Sequence, residues 1–218
     1  MSGFDWAVDA FFKGAAFTAF DIETTGLYCQ TDRIVELGAV KFDRRGIAAR
    51  FSALVNPGIP MPAGASRVNG IDDAMLRDKA PIEEALPDFL RFTNGSILVA
   101  HNAPFDCGFI NESLKRYYRG PDLAWGNFQA DGEPESGKSR FSAPFRELPN
   151  QVADTLAFAR EAFPKRTSYK LQDLAGEFGI DAKEAHRASD DARVCMEVFT
   201  ACVKQIRPDF HQAVRRTE

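Results

Sequence analysis

Three short stretches of this sequence carry side chains able to hold hard cations and move a proton. Asp21-Ile22-Glu23 sets two carboxylates two residues apart. On a strand, alternate side chains share a face, so Asp21 and Glu23 would stand about 7 Å apart with Ile22 turned away. HNAPFD, residues 101–106, follows an apolar run and carries Asp106 into the first turn of a predicted helix. His186 precedes Asp191 by five residues, and Asp191, Cys195, Val198 and Cys202 recur at helical spacing, which puts Asp191 on an apolar stripe. A carboxylate on a buried face needs a partner. No Lys or Arg lies on that stripe, and a metal would meet the need. Each signal alone has a plain alternative. Chance supplies about four acid-x-acid pairs in a chain with 31 acids. Acids at a helix start complement its dipole. A lone histidine is more often surface or core than catalyst.

The elements that must position these groups can be read from pattern. Residues 16–23, 33–42 and 48–55 read as strands, with DRRGI turning a hairpin between the last two and Gly38 a bulge or close approach. A Pro/Gly-rich connector, 56–66, leads to helical signals at 72–78 and 81–92. Residues 96–100 are a short buried strand, and the chain is helical from Pro104. A short strand near Val152 and helices over 155–163, 168–178 and 189–206 follow. Ser189 reads as the N-cap of the last helix, with Asp190 turned to solvent. Hairpins first and helices later predict an α/β fold, a mixed central sheet flanked by helices, with 96–100 parallel to the first strand. Residues 1–15 read as an N-terminal extension, 16–206 as the domain, 119–149 as a loop insertion and 207–218 as a C-terminal tail.

Composition narrows the classes. Apolar residues at 44% and charged residues at 27% exclude wholesale disorder. No stretch reaches the roughly 18 apolar residues of a membrane span. The first residues carry Asp5 and Asp9 instead of a basic leader, so a cytoplasmic protein is expected. Four widely spaced cysteines form no CxxC pair, which argues against a zinc or disulfide framework, and Cys195 and Cys202 read as core residues. The net charge of −4 shows no general basic footprint for nucleic acid.

Taken together, DIETTGL at 21–27, HNAPFD at 101–106 and His186 with Asp191 resemble the three motifs of the DEDDh 3′–5′ exonucleases, the family of the proofreading subunit of bacterial DNA polymerase III and of ribonuclease T. VNGI at 68–71, VADTL at 152–156 and SYKLQDLAGEFGI at 168–180 are similar to its connecting segments. The resemblance spans about 16–206 and no motif residue is missing. It implies a ribonuclease H-like fold with a five-stranded mixed sheet. It also implies two divalent cations, Mg²⁺ or Mn²⁺, on Asp21, Glu23, Asp106 and Asp191, with His186 as general base. Thr24, Thr25, Gly26, Leu27, His101, Asn102 and Phe105 would meet the substrate, the threonine backbone at the 3′-hydroxyl and Leu27 or Phe105 against the last bases. The implied partners are single-stranded nucleic acid 3′ ends and a DNA polymerase, with no membrane. DNA or RNA, and the oligomeric state, stay open.

The chemistry wants such a set. Phosphodiester hydrolysis builds negative charge on a centre already negative, and two cations about 4 Å apart serve the attacking water and the leaving oxygen. Oxygen donors suit Mg²⁺ or Mn²⁺ more than zinc. Without the four candidate carboxylates the acids number 27, equal to the bases. A site for one strand end needs few phosphate contacts, for which Lys165, Arg166, Lys170 and Arg187 are candidates. Two other classes compete: a non-catalytic module of this fold that scaffolds a polymerase, favoured by the insertion and the aromatic N-terminus, and a phosphatase or nucleotidase preferring a terminal phosphate.

Overall fold

The computed structural model describes residues 2–117, 147–182 and 186–208. Most of the expected insertion and residues 209–218 of the tail lie outside them. In chain order the elements are α1 (Asp5–Phe12), β1 (Phe17–Thr24), β2 (Ile34–Asp43), β3 (Gly46–Leu54), α2 (Ala63–Asn69), α3 (Asp73–Leu76), α4 (Ile82–Thr93), β4 (Ile97–Ala100), α5 (Ala103–Tyr117), β5 (Val152–Asp154), α6 (Thr155–Ala162), α7 (Leu171–Phe178) and α8 (Ala188–Ile206).

The sheet order is β3-β2-β1-β4-β5. β1 pairs antiparallel with β2 and parallel with β4, and β4 pairs parallel with β5. This is the mixed five-stranded sheet expected. Alternation along β1 explains its central place. Phe17 and Ala19 enter one core, while Phe20 and Ile22 enter the other. The first core lies under α1, α6, α7 and α8, where Phe199 sits 5.1 Å from Phe17 and 5.8 Å from both Phe11 and Phe158, ring centre to centre. The second lies under α4 and α5. A smaller cluster of Val35, Met61, Ile71 and Leu76 packs beside α2 and α3.

Three local expectations need correction. The Pro/Gly-rich connector runs into a helix, α2, bracketed by Pro62 before it and by Gly70 in the left-handed conformation (φ 68°) after it. α8 begins at Ala188, so Ser189 lies inside its first turn and caps nothing; Arg187 holds the cap position without a side-chain cap bond. Asp190 is not solvated but paired with Arg193 at 2.7 Å. The N-terminal extension forms α1, a two-turn helix whose Ala7, Val8 and Phe11 pack into the main core, which is no departure from the reading of residues 1–15. Cys195 and Cys202 are core residues as read. Among the described residues no helix is long and apolar enough to cross a membrane.

Candidate active site

β1 and β2 build the floor. Their register sets Asp21 opposite Gly38 and Glu23 opposite Glu36. Residues directly opposite point the same way, so three carboxylates and one glycine occupy two neighbouring rungs of one face. α8 lies across that face. A Cβ on Gly38 would stand 2.1–2.3 Å from the backbone of Ala188 and Ser189, so only glycine admits the helix start this close. One turn on, the Asp191 carboxylate is buried and accepts from the His186 backbone N–H at 3.0 Å and from Gln172 Nε2 at 2.5 Å. Asp106 arrives from the opposite side of the sheet. β4 ends at Ala100, and the first turn of α5 carries Asp106, whose buried carboxylate faces its own N–H and that of Ile22, both of which favour its charged form. The site therefore gathers where two parallel strands end, as α/β sites do.

Glu23, His186 and Asp191 each offer a ligand atom within 4.8 Å of the other two. His186 is exposed and left-handed, with φ 65°, a conformation that costs a non-glycine residue. Burial pushes every site carboxylate upward. Asp21 rises well above the usual range, first from desolvation and then from the charges of Asp106, Asp191, Glu23 and Glu36. Desolvation, then Asp191 and Glu36, lifts Glu23 to about 8, against a hydrogen bond from the Asn69 side chain. Asp106 is lifted to about 8 by desolvation, partly offset by its two N–H donors. Asp191 is raised by desolvation and held back by the His186 N–H. Converging carboxylates that resist ionisation are a site lacking positive charge. Hard oxygen donors with one imidazole fit Mg²⁺ or Mn²⁺ better than a softer ion.

The expected substrate-facing residues fall into two groups. The Thr24-Thr25-Gly26 turn is internally closed: Thr24 Oγ1 donates to Gly26 O at 2.6 Å, and the Thr25 N–H is spent on Arg33 O at 2.8 Å. A Cβ on Gly26 would strike the Asp32 carboxylate at 2.5 Å. Leu27 follows, 75% exposed. The other group is tied into the frame. Both His101 ring nitrogens are engaged, Nδ1 with Thr155 Oγ1 and Nε2 with Tyr169 O, each at 2.8 Å. Asn102, at φ 67°, donates its N–H to Asp154 Oδ1 at 3.0 Å. Phe105 is half-buried against Phe109, with ring centres 5.0 Å apart.

Two of the four candidate phosphate contacts are otherwise engaged. Arg187 forks onto Glu36, and Arg166 pairs with Glu177 while lying over the Phe163 and Phe178 rings. Lys165 and Lys170 are exposed. Sequence reasoning missed Glu36, Gln172 and Asn69. Glu36 had left a signal, since a lone acid inside the apolar run IVELGAV must be buried and partnered.

A family model described as exonuclease matches residues 18–199. A DNA polymerase III subunit epsilon from Treponema pallidum is 44% identical over 202 residues, covering 92% of this chain and 81% of that protein. A DNA polymerase III PolC-type from Thermotoga maritima is 36% identical, covering 91% of this chain but 13% of that much longer protein. Among solved structures, exonuclease X in complex with 5′ overhanging duplex DNA superimposes with a TM-score of 0.60 at 23% identity, covering 88% of this chain and 93% of that one. E. coli exonuclease I in complex with a dA16 oligonucleotide gives 0.66 at 17% identity, covering 90% and 42%. At those identities the two structures speak for the fold alone.

Proposed function

This chain belongs to the exonuclease family and is a 3′–5′ exonuclease, and from that premise we propose that it shortens single-stranded DNA with the help of two divalent cations and a histidine base, releasing nucleoside 5′-monophosphates. The observation that carries this reading is the meeting of Glu23, His186 and Asp191 within 4.8 Å, with Asp21 two residues from Glu23 on the same strand face.

Asp21, Glu23, Asp106 and Asp191 would hold the cations. When bound, Mg²⁺ or Mn²⁺ supplies positive charge that lets water ionise near neutral pH and stabilises the departing 3′ oxygen. His186 takes one proton from the attacking water on a ring nitrogen and, being exposed, passes it to solvent. The water oxygen bonds to the terminal phosphorus, the bond from phosphorus to the 3′ oxygen breaks, and that oxygen is reprotonated. The Thr24-Thr25-Gly26 turn holds the strand end, Leu27 wedges against the last bases, and Phe105 stacks on them, an aromatic contact that tolerates any base. His101 and Asn102 shape this pocket from behind through their bonds to Thr155, Tyr169 and Asp154. DNA is favoured over RNA because the similar proteins are named as a DNA polymerase III subunit epsilon and a DNA polymerase III PolC-type. The same names favour a replicative polymerase as partner and the cytoplasm as the place of action.

The test is a 5′-labelled single strand incubated with the protein and Mn²⁺, as DNA and as RNA of the same sequence. A ladder of shortened labelled DNA, absent with EDTA, is expected. Release of the 5′ label as mononucleotide, or no shortening of either strand, refutes the proposal. Hydrolysis of only a terminal phosphate would favour a phosphatase.

A further inference from the structure

Glu36 is fully buried on β2. It stands opposite Glu23 in the antiparallel ladder, a like-charge arrangement that is costly unless one member is neutralised. The neutralising group comes from the site itself. Arg187 Nη2 donates to Glu36 Oε1 at 2.9 Å, Arg187 Nε donates to Oε2 at 3.2 Å, and the Ala188 N–H donates to Oε2 at 3.2 Å. Planar two-pronged pairing fixes direction as well as distance. Two residues along the same strand face, Gly38 admits the Ala188–Ser189 backbone at a separation no side chain would allow. The start of α8, whose own cap residue Arg187 makes no side-chain cap bond, is thus seated at two points on β2. His186 precedes the clamped Arg187, in the left-handed conformation, and its N–H holds Asp191.

From this juxtaposition we infer that Glu36 is a positioning residue of the exonuclease: through its clamp on Arg187 and Ala188 it sets where the His186 imidazole stands against Glu23 and Asp191. The inference rests on His186 acting as the base. Glu36 touches no reacting atom. It also keeps the Arg187 guanidinium for the frame of the site and away from phosphate.

The experiment is a double-mutant cycle. Glu36→Gln, His186→Ala and the double variant are compared for kcat, KM and Mn²⁺ half-saturation on labelled single-stranded DNA, with unfolding curves to show each is folded. Glu36→Gln is expected to lower kcat about tenfold or more, with KM within about twofold. On the His186→Ala background it is expected to lower kcat by less than about twofold, because the group it positions is gone. Arg187→Met, at a partly exposed side chain, should repeat both results and carries the test if Glu36→Gln does not fold. Arg187→Lys, which keeps the charge but not the fork, should recover part of the loss. An equal fold-loss on both backgrounds assigns Glu36 a general structural role and overturns the inference while leaving His186 as base. So does an unchanged kcat in Glu36→Gln. Wild-type kcat in His186→Ala alone overturns the base assignment and this inference together.

Discussion

One face of the sheet is built in two opposite ways. At one end of β1, Phe17 and Ala19 join Phe11, Phe42 and Phe199 in a continuous aromatic core. Two rungs further, the same strand face carries Asp21 and Glu23, and α8 turns from Phe199 and Cys195 to Asp191. The aromatic end satisfies itself by excluding water and packing rings at edge and tilted angles. The carboxylate end is half-buried at Asp21 and Glu23 and buried at Asp106 and Asp191, and its groups repel one another and are pushed away from ionisation. The contrast teaches that the fold's stability is supplied at one end and drawn on at the other, the usual relation between a frame and a strained site.

Substitutions at the two ends should therefore fail differently. Asp21→Ala is expected to reduce shortening of labelled DNA to the level seen without enzyme while leaving a cooperative unfolding transition; activity near wild type would remove Asp21 from the metal site. Phe199→Ala should do the reverse. It is expected to cost about 3–5 kcal/mol of stability, from lost transfer energy and a cavity among the rings, with kcat per folded molecule preserved at low temperature. Denaturant unfolding paired with activity measures both, and a loss below about 1 kcal/mol would show that the aromatic end is not the store of stability.

A third contrast is in pH. In the metal-free protein Glu23 and Asp106 stay protonated to about 8, whereas in the unfolded chain they ionise near 4. The folded state then binds more protons than the unfolded between these values, so stability falls as pH rises from about 5 to 8. Melting curves in EDTA should show Tm declining across that window, and Mn²⁺ should raise Tm more at pH 8 than at pH 5.5. A Tm that is flat or rising in EDTA contradicts the burial of these carboxylates. The smallest effect concerns Asp191→Asn. Removing one converging charge should raise the metal-free Tm at low salt, where repulsion is least screened. A lower Tm would mean that its bonds to Gln172 and the His186 N–H outweigh the repulsion.

Legibility differed between the two ends as well. The paired carboxylates, the Asp106 helix start and the histidine-to-aspartate spacing were readable because strand and helix periods turn spacing directly into shared faces. The antiparallel hairpin and the parallel pairing of β4 with β1 followed from the same patterns, while the five-strand count came with the family resemblance. α2 was obscured because Pro62 and Gly70, which bracket it, also read as connector signals. Ser189 read as a cap because it is a good capping residue before two acids, yet the helix start is held from outside, by Glu36 and over Gly38. Arg187 and Arg166 read as free cations because their partners lie far away along the chain, at Glu36 and eleven residues on at Glu177.

From the sequence came the reaction class, through the resemblance of its three motifs to a known family; residue type and local period by themselves settle only which oxygens can share a face. Only the tertiary structure decided which charges are left to face a nucleic acid strand or a cation and which hold the frame together. That choice is made by pairings between segments as distant as Glu36 and Arg187, and such pairings depend on register and burial, which no local pattern encodes.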